Sequence, residues 1–493
     1  MIRYSSGFLH FLACISGALL GISFLHPLLW PCVFAGVLLT LLVLTKASGV
    51  KQAVFLGWII GAVKIAIALL WFWSAYPLDW LGIDSGIVQM LLVSMYWIPA
   101  ALTLGGGVAL FGYVYHRYLC HIQTMGVYVL SVGCMWVWAE IFGAIVFSIY
   151  TLGSGSHVGA EFSFGHTGYA MVEYGGLFSL AAFGGVYALS FAVGCMGAML
   201  HRMYTDKNTW LLHVVVGIVV GGVVPVLWVT GYSEQNISVA LIETSFERSG
   251  LPEVVSADSR KKILTQAIVA AVESGTDYIV LPEDSRFTTY FMSTDAVLAY
   301  LGSLTDRSVI LVDSARYDTN NKTTLRAYVY DTSDNEVYFF DKQYLVPQGE
   351  YIPYVYQVLV TALQPDGQLL ESLQDTTYQI GTNQKNVTLP ASIPTVLFCF
   401  EGVSPVGVYA AIGTRTEVPF IAHIVSHAWF KRDPYMLWNQ LDAMLRTQAR
   451  MNNIPVLQAS NEAPLKVYMP SGEVRIPNMA KQGTYWSLSI INL

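Results

Sequence analysis

Along the first half of the chain, apolar residues run on for lengths that no strand and few soluble helices need. Stretches near 8–25, 27–45, 53–75, 86–113, 124–149, 176–200 and 210–230 each approach the roughly 20 residues that a helix requires to cross a bilayer core. They predict a bundle of about seven transmembrane helices. Only His26-Pro27 separates the first two, which predicts a tight helical hairpin. A second span at that distance, in place of a small-residue cleavage site, argues against a removable signal peptide. From Ile237 the period changes. Short apolar runs at 239–244, 278–283, 308–314, 395–401, 419–426 and 454–460 read as strands, and stretches near 258–274, 293–304 and 435–452 read as helices. LRAYVYD (325–331) and EVYFFDK (336–342) predict a hairpin across a Thr-Ser-Asp-Asn turn. Strands alternating with helices define a layered α/β domain. The expected organisation is a transmembrane domain over 1–233 and a second domain over 234–493.

Composition sharpens that division. The chain is 54% hydrophobic and 12% charged, against about a quarter charged in soluble proteins, which argues against a soluble globular enzyme for the chain as a whole. Its net charge of −7 lacks the basic footprint of a nucleic-acid binder. Residues 1–233 hold 7 Lys and Arg and 6 Asp and Glu; the remainder holds 19 and 27. Arg3, Lys46, Lys51, Arg117, Arg202 and Lys207 fall at the N-terminus and in alternate loops, and the other loops between spans have no Lys or Arg. Positive loops stay inside, which places the N-terminus in the cytoplasm and the second domain outside after seven crossings. Lys64 and Glu140 lie within predicted spans; such charges face the bundle interior, pair, or mark a substrate path. Lys64 has snorkelling as a further option. The loop from Thr151 to Gly175, rich in Gly, Ser and aromatics, reads as an interfacial segment or a solvated loop meeting the second domain or the lipid surface.

Cysteine usage isolates one residue. Cys14, Cys32, Cys120, Cys134 and Cys195 sit in the first half, and Cys399 alone in the second. A lone cysteine in an exported domain has no intrachain disulfide partner there. It is either a buried inert thiol on the apolar run VLFCFE or a nucleophile. Glu283 ends the run YIVLPE and Lys342 ends VYFFDK, and strand ends in α/β folds are where catalytic groups gather. A carboxylate can take the thiol proton and an ammonium can hold an oxyanion; surface ion pairs with other partners are the alternative. His423 and His427, four apart on an apparent strand, would stand about 13 Å from each other, too far to share one metal ion.

Around these residues a family resemblance gathers. LPE at Glu283, LVPQGEYIP after Lys342 and FCFE around Cys399 resemble the Glu–Lys–Cys signature of the nitrilase superfamily. More narrowly they are similar to bacterial apolipoprotein N-acyltransferases, with the motifs K-x-x-L-V-P-x-G-E-x-x-P and C-Y-E. GISFLHPLLWP, LGWIIGAVKIAIALLWFW and GGVYALSF (184–191) resemble that family's early and sixth helices. SHAWF (426–430), the helix with Arg446, ASNEA (459–463) and PSGEV (470–474) follow in the family's order, so the likeness spans nearly the full chain.

The resemblance implies an αββα sandwich on the periplasmic side of a multi-pass bundle in the bacterial inner membrane. The implied activity moves a fatty acyl chain from a phospholipid donor to the N-terminal amine of a diacylglyceryl-modified lipoprotein, by ping-pong through a thioacyl enzyme. No cofactor, metal or nucleic acid takes part. Carried over by motif, Glu283 is the general base and Cys399 the nucleophile. Lys342 stabilises the oxyanion together with the backbone N–H of Phe400, and Glu350 and Glu401 are supporting carboxylates that orient Lys342. The chain departs from the family as a divergent member. Phe400 replaces a Tyr, Ser426 and His427 replace Asn and Asp, Glu462-Ala463 replaces an Asn-Gly-type pair, and Ala449 stands where a Glu is expected. A last transmembrane helix has no counterpart between YWSLSII and Leu493. Two other readings stay open: a membrane-tethered amidase that uses water, and a degenerate paralogue that binds lipid or lipoproteins without chemistry. Retention of all three reactive residues, each in its motif, argues against the last.

Overall fold

A computed structural model describes residues 5–78, 85–205, 236–246, 255–319, 322–363, 377–382, 389–415, 417–430 and 434–493. The described residues form two compact units. One draws on Met1–Tyr150, Val158–Gly231 and Phe430–Asn453, the other on Thr151–His157, Tyr232–Trp429 and Ile454–Leu493.

The helical unit contains α1 (Ser6–Ile22), α2 (Cys32–Thr45), α3 (Val50–Ala68), α4 (Gly86–Arg117), α5 (Met125–Tyr150) and α6 (Ala181–Thr205). Five stretches, Pro27–Thr45, Val50–Ala75, Gly86–His121, Met125–Tyr150 and Ala181–Thr205, are long and apolar enough to cross a membrane, which makes this a multi-pass membrane protein. α1 is apolar but only 17 residues long, and the expected span at 210–230 lies outside the described residues, so five of the seven expected spans are met among the described residues. Small residues let the helices meet backbone to backbone: a Cβ on Gly61 would strike the Gly105 backbone, and one on Gly107 would strike the carbonyl of Ala139.

Lys64 and Glu140 are paired inside this bundle, Nζ to Oε1 at 2.8 Å, with both side chains almost fully buried. The same Oε1 accepts the Thr167 N–H at 2.7 Å, and Oε2 accepts the Ser190 hydroxyl at 2.6 Å. Ser190 in turn accepts the Gly168 N–H. The carboxylate therefore holds a turn of the segment that follows α5. That segment is not a solvated loop for most of its length. Phe162, Phe164, Tyr169, Met171 and Val172 are buried, and Phe164 packs on Phe162 and Trp71. Its many aromatics supply enough apolar area to outweigh its glycines. A further helix, Tyr435–Asn452, lies inside the α/β half in chain order yet packs in this unit: Gln440 donates to the Ala68 carbonyl, and Arg446 pairs with Glu173.

In the second unit, β1 (Ser238–Thr244) lies between β12 (Trp486–Asn492), antiparallel, and β2 (Tyr278–Val280), parallel, and β11 (Met479–Gly483) pairs antiparallel with β12. β3 (Ile310–Thr319), β4 (Lys322–Asp331) and β5 (Glu336–Asp341) continue outward. β6 (Thr395–Phe398), β7 (Ile421–Ser426), β8 (Val456–Asn461), β9 (Lys466–Tyr468) and β10 (Val474–Arg475) form a second sheet path, joined to the first where Glu243 and Thr244 pair with Ser460 and Asn461. Period-two alternation sorts the side chains. Leu241, Val280, Val312 and Ala327 meet Phe398, Ile424 and Ala459 in a core between the sheets. Ile242, Ile279 and Leu311 point the other way, under α7 (Ala257–Glu273) and α8 (Thr294–Leu304). Ser256 and Ser293 start these two helices by accepting the N–H of Ser259 and Ala296. Three predicted strands end early. β2 stops at Val280 because Pro282 has no N–H for the ladder; β5 stops at Asp341; β6 stops at Phe398, where the chain turns into the short helix α9 (Cys399–Val403).

Candidate active site

The three shortened strands set the site. Glu283 lies three residues beyond β2, Lys342 directly after β5, and Cys399 directly after β6. Lys342 is fully buried, and its Nζ lies 3.0 Å from Glu283 Oε1 and 2.5 Å from Glu350 Oε1. An ammonium has three N–H donors, so two carboxylates leave one. Glu350 also steadies the loop it stands on, accepting the Val346 N–H through Oε2 at 2.8 Å. The ring of Phe398 faces the ammonium at 5.6 Å. The Cys399 thiol, Glu283, Lys342 and Glu350 are near enough for each to act on the charge of the others.

Glu401 supports the site differently. It does not touch the ammonium. Its Oε1 accepts the backbone N–H groups of Gln343 and Tyr344, and its Oε2 accepts that of Phe398 at 3.2 Å. One buried carboxylate thereby ties the residues just after Lys342 to the residue just before Cys399. His423 sits beneath, its Nε2 donating to the Cys399 carbonyl at 2.9 Å. Burial pushes its imidazole down to about 4 and that of His427 to about 3, so both are neutral rings near pH 7. Phe400 is buried in the first turn of α9.

Burial dominates the electrostatics of the cluster. It pushes Glu283 up to about 7, a rise that Lys342 opposes and Glu350 reinforces. It raises the Cys399 thiol well above its ordinary value, with Glu283 and Glu350 adding to the rise and Lys342 opposing it. Burial alone would lower Lys342, but Glu283, Glu350 and Cys399 outweigh it and hold the amine firmly protonated. Glu401 is likewise pushed up to about 7 by burial, against its hydrogen bonds from Gln343, Tyr344 and Phe398. Near neutral pH the thiol is therefore protonated and the amine an ammonium, with Glu283 held well above the ordinary carboxylate range.

Two further supports lie outside the motifs. Thr151–His157, from the loop after α5, packs on the Lys342–Ile352 loop. Tyr351 Oη donates to the Thr151 carbonyl, and the Tyr354 N–H to that of Leu152. The ring of His157 lies 5.2 Å from that of Tyr344. The second support lies on β3. Asp313 and Ser314 grip the turn after Glu283, and the run SVILVDS marked them only as part of a strand.

These features define a multi-pass helical membrane protein joined to an α/β sheet domain, with a half-buried cysteine beside a lysine and glutamate cluster at its strand ends. No family model matches the chain. It is 24% identical to the apolipoprotein N-acyltransferase of Geobacter metallireducens, over 94% of this chain and 86% of that protein. The resemblance read from the motifs thus extends through both halves of the chain. Solved structures similar to it include an amidase from Nesterenkonia sp. (15% identity, 53% of this chain and 91% of that one, TM-score 0.36). A carbon-nitrogen hydrolase from Helicobacter pylori G27 is similar at 11% identity, over 51% of this chain and 89% of that one, with TM-score 0.35.

Proposed function

We propose that this protein is a membrane-embedded N-acyltransferase, which moves a fatty acyl chain from a phospholipid to the N-terminal amine of a diacylglyceryl-modified lipoprotein. The observation that carries this reading is the buried Glu283–Lys342–Glu350 cluster acting on Cys399, in a chain with five stretches among the described residues apolar enough to span a membrane. Glu283 takes the Cys399 proton as the sulfur attacks the ester carbonyl of the donor. The oxyanion is held by the remaining Lys342 N–H and by the backbone N–H of Phe400. Collapse of the tetrahedral species breaks the ester C–O bond, and Glu283 returns the proton to the departing lysophospholipid oxygen. The acceptor amine then attacks the thioester, Glu283 accepts its proton, and the thiolate leaves to be reprotonated. Donor and acceptor use one site in turn. The catalytic domain faces the periplasm of the inner membrane, as the basic loops imply.

The test is transfer of a radiolabelled acyl chain from phospholipid micelles to a diacylated lipopeptide. The wild-type protein forms labelled triacyl product, and Cys399→Ala, Glu283→Gln and Lys342→Met do not. Release of free fatty acid at the same rate without acceptor would instead support the amidase-like use of water.

A further inference from the structure

We propose that Asp313 is a positioning residue that sets where the Glu283 carboxylate stands, a proposal that rests on the reading of Glu283 as the general base. Asp313 lies on β3 and is wholly buried. Its carboxylate accepts the Ser285 hydroxyl at 2.6 Å, the Phe287 N–H at 3.2 Å, the Thr288 N–H at 2.6 Å and the Thr288 hydroxyl at 2.5 Å. All four donors come from the turn that follows Glu283, and all four are neutral. Ser314 grips the same turn from its near end. Its hydroxyl accepts the Asp284 N–H at 2.9 Å and donates to the Pro282 carbonyl at 3.3 Å, and its carbonyl accepts the Arg286 N–H at 2.8 Å. Glu283 is thereby bracketed by two residues that β3 holds.

The turn needs such a grip. Asp284 and Arg286 both have left-handed backbones, with φ of 56° and 61°, which L residues keep only where the surroundings over-determine them. Pairing of Asp284 with Arg286 and Arg316 fastens the outer side of the turn. A carboxylate placed in the interior without a cation carries a desolvation cost that hydrogen bonds must offset. Two hydroxyl side chains alone could close a turn; four donors on one rigid acceptor also fix its position. The consequence falls on the 3.0 Å contact between Glu283 and Lys342 and on the reach from Glu283 to the thiol. Misplacement of a reacting group by about 1 Å costs on the order of a hundredfold in rate.

The experiment uses the full-length protein in detergent, with Glu283→Gln, Asp313→Asn, Ser285→Ala and Ser285→Thr. For each, kcat and KM are measured for transfer from phosphatidylethanolamine–phosphatidylglycerol micelles to a diacylated lipopeptide, and the rate of Cys399 alkylation by iodoacetamide is measured without lipid. Asp313→Asn, which cannot accept all four donors, lowers kcat by roughly 10- to 100-fold with KM within about twofold. Ser285→Ala lowers kcat by about 3- to 10-fold at an unchanged unfolding midpoint, and Ser285→Thr, which keeps the hydroxyl, restores it. Alkylation slows in the same order. The Ser285 pair keeps the test decisive where Asp313→Asn fails to fold. Wild-type kcat and alkylation in Ser285→Ala, or losses confined to KM, overturn the positioning role. If Glu283→Gln itself matches wild type in both measurements, the reading of the base fails and the positioning role with it. If Glu283→Gln is inactive while Ser285→Ala and Asp313→Asn are unaffected, only the positioning role fails.

Discussion

Moving a proton from Cys399 to Glu283 leaves the charge of the buried cluster unchanged, since one anion replaces another beside Lys342. Desolvation, which makes each group hard to ionise alone, therefore weighs little on the transfer itself, and pH acts mainly through the availability of the base. Burial pushes Glu283 up to about 7, and a base works in its deprotonated form. Transfer thus rises with pH through about 7 and falls tenfold per unit below it, as an apparent value of the coupled cluster. A rate profile from pH 5 to 9 checks this, and a profile flat down to pH 5 would contradict it. Glu283→Gln removes that limb and leaves about 1% of the rate or less. Glu350→Gln takes away a charge that helps raise Glu283, so the limb moves to lower pH while the protein stays active. Cys399, Lys342, Glu283, Glu350 and Glu401 stood out in the sequence as candidates because each stands in a motif. The division of labour between the supporting carboxylates did not. Glu350 touches the ammonium, whereas Glu401 braces backbone on two strand ends, and only the folded register reveals that. Asp313 was illegible for the same reason: its partners lie 25 to 28 residues away in sequence.

Among the elements, periodicity placed the helices near 257–273, 294–304 and 435–452 within a residue or two and found the hairpin of β4 and β5. It overran the strands at Glu283 and Cys399, because apolar runs continue past the points where Pro282 and the Glu401 cap end the ladder. Nor does period tell where a helix packs, which is why Tyr435–Asn452 gave no sign of joining the helical unit. Lys64 and Glu140 were recognisable as costly charges in predicted spans. Their partnership, and the hold of Glu140 on Thr167, depend on how α3 and α5 face each other. Removing one partner strands a buried charge, at a cost of about 3–5 kcal/mol. Lys64→Met or Glu140→Leu alone therefore lowers the unfolding midpoint in detergent markedly, and the double variant regains most of the loss. Equal midpoints for a single variant and the wild type would show that the pair does not hold the bundle.

For the whole molecule, the contrast between a nearly chargeless half and a charged one is what composition shows most plainly, and five apolar spans bear it out. The distribution of Arg and Lys among the loops predicts that the α/β half lies outside the cytoplasm. Protease added to spheroplasts therefore digests it and spares an apolar fragment, whereas digestion only after lysis would reverse the orientation. On the proposed reading, transfer from a lipid donor passes through a covalent acyl enzyme on Cys399. The most direct measurement is intact and peptide mass spectrometry of the purified protein after incubation with phospholipid, beside Cys399→Ala. The expected result is a fatty-acyl adduct on the Cys399 peptide, absent from the variant and discharged by hydroxylamine or by a lipopeptide amine. A wild-type protein that gains no adduct, with Cys399 also inert to thiol reagents, would contradict it.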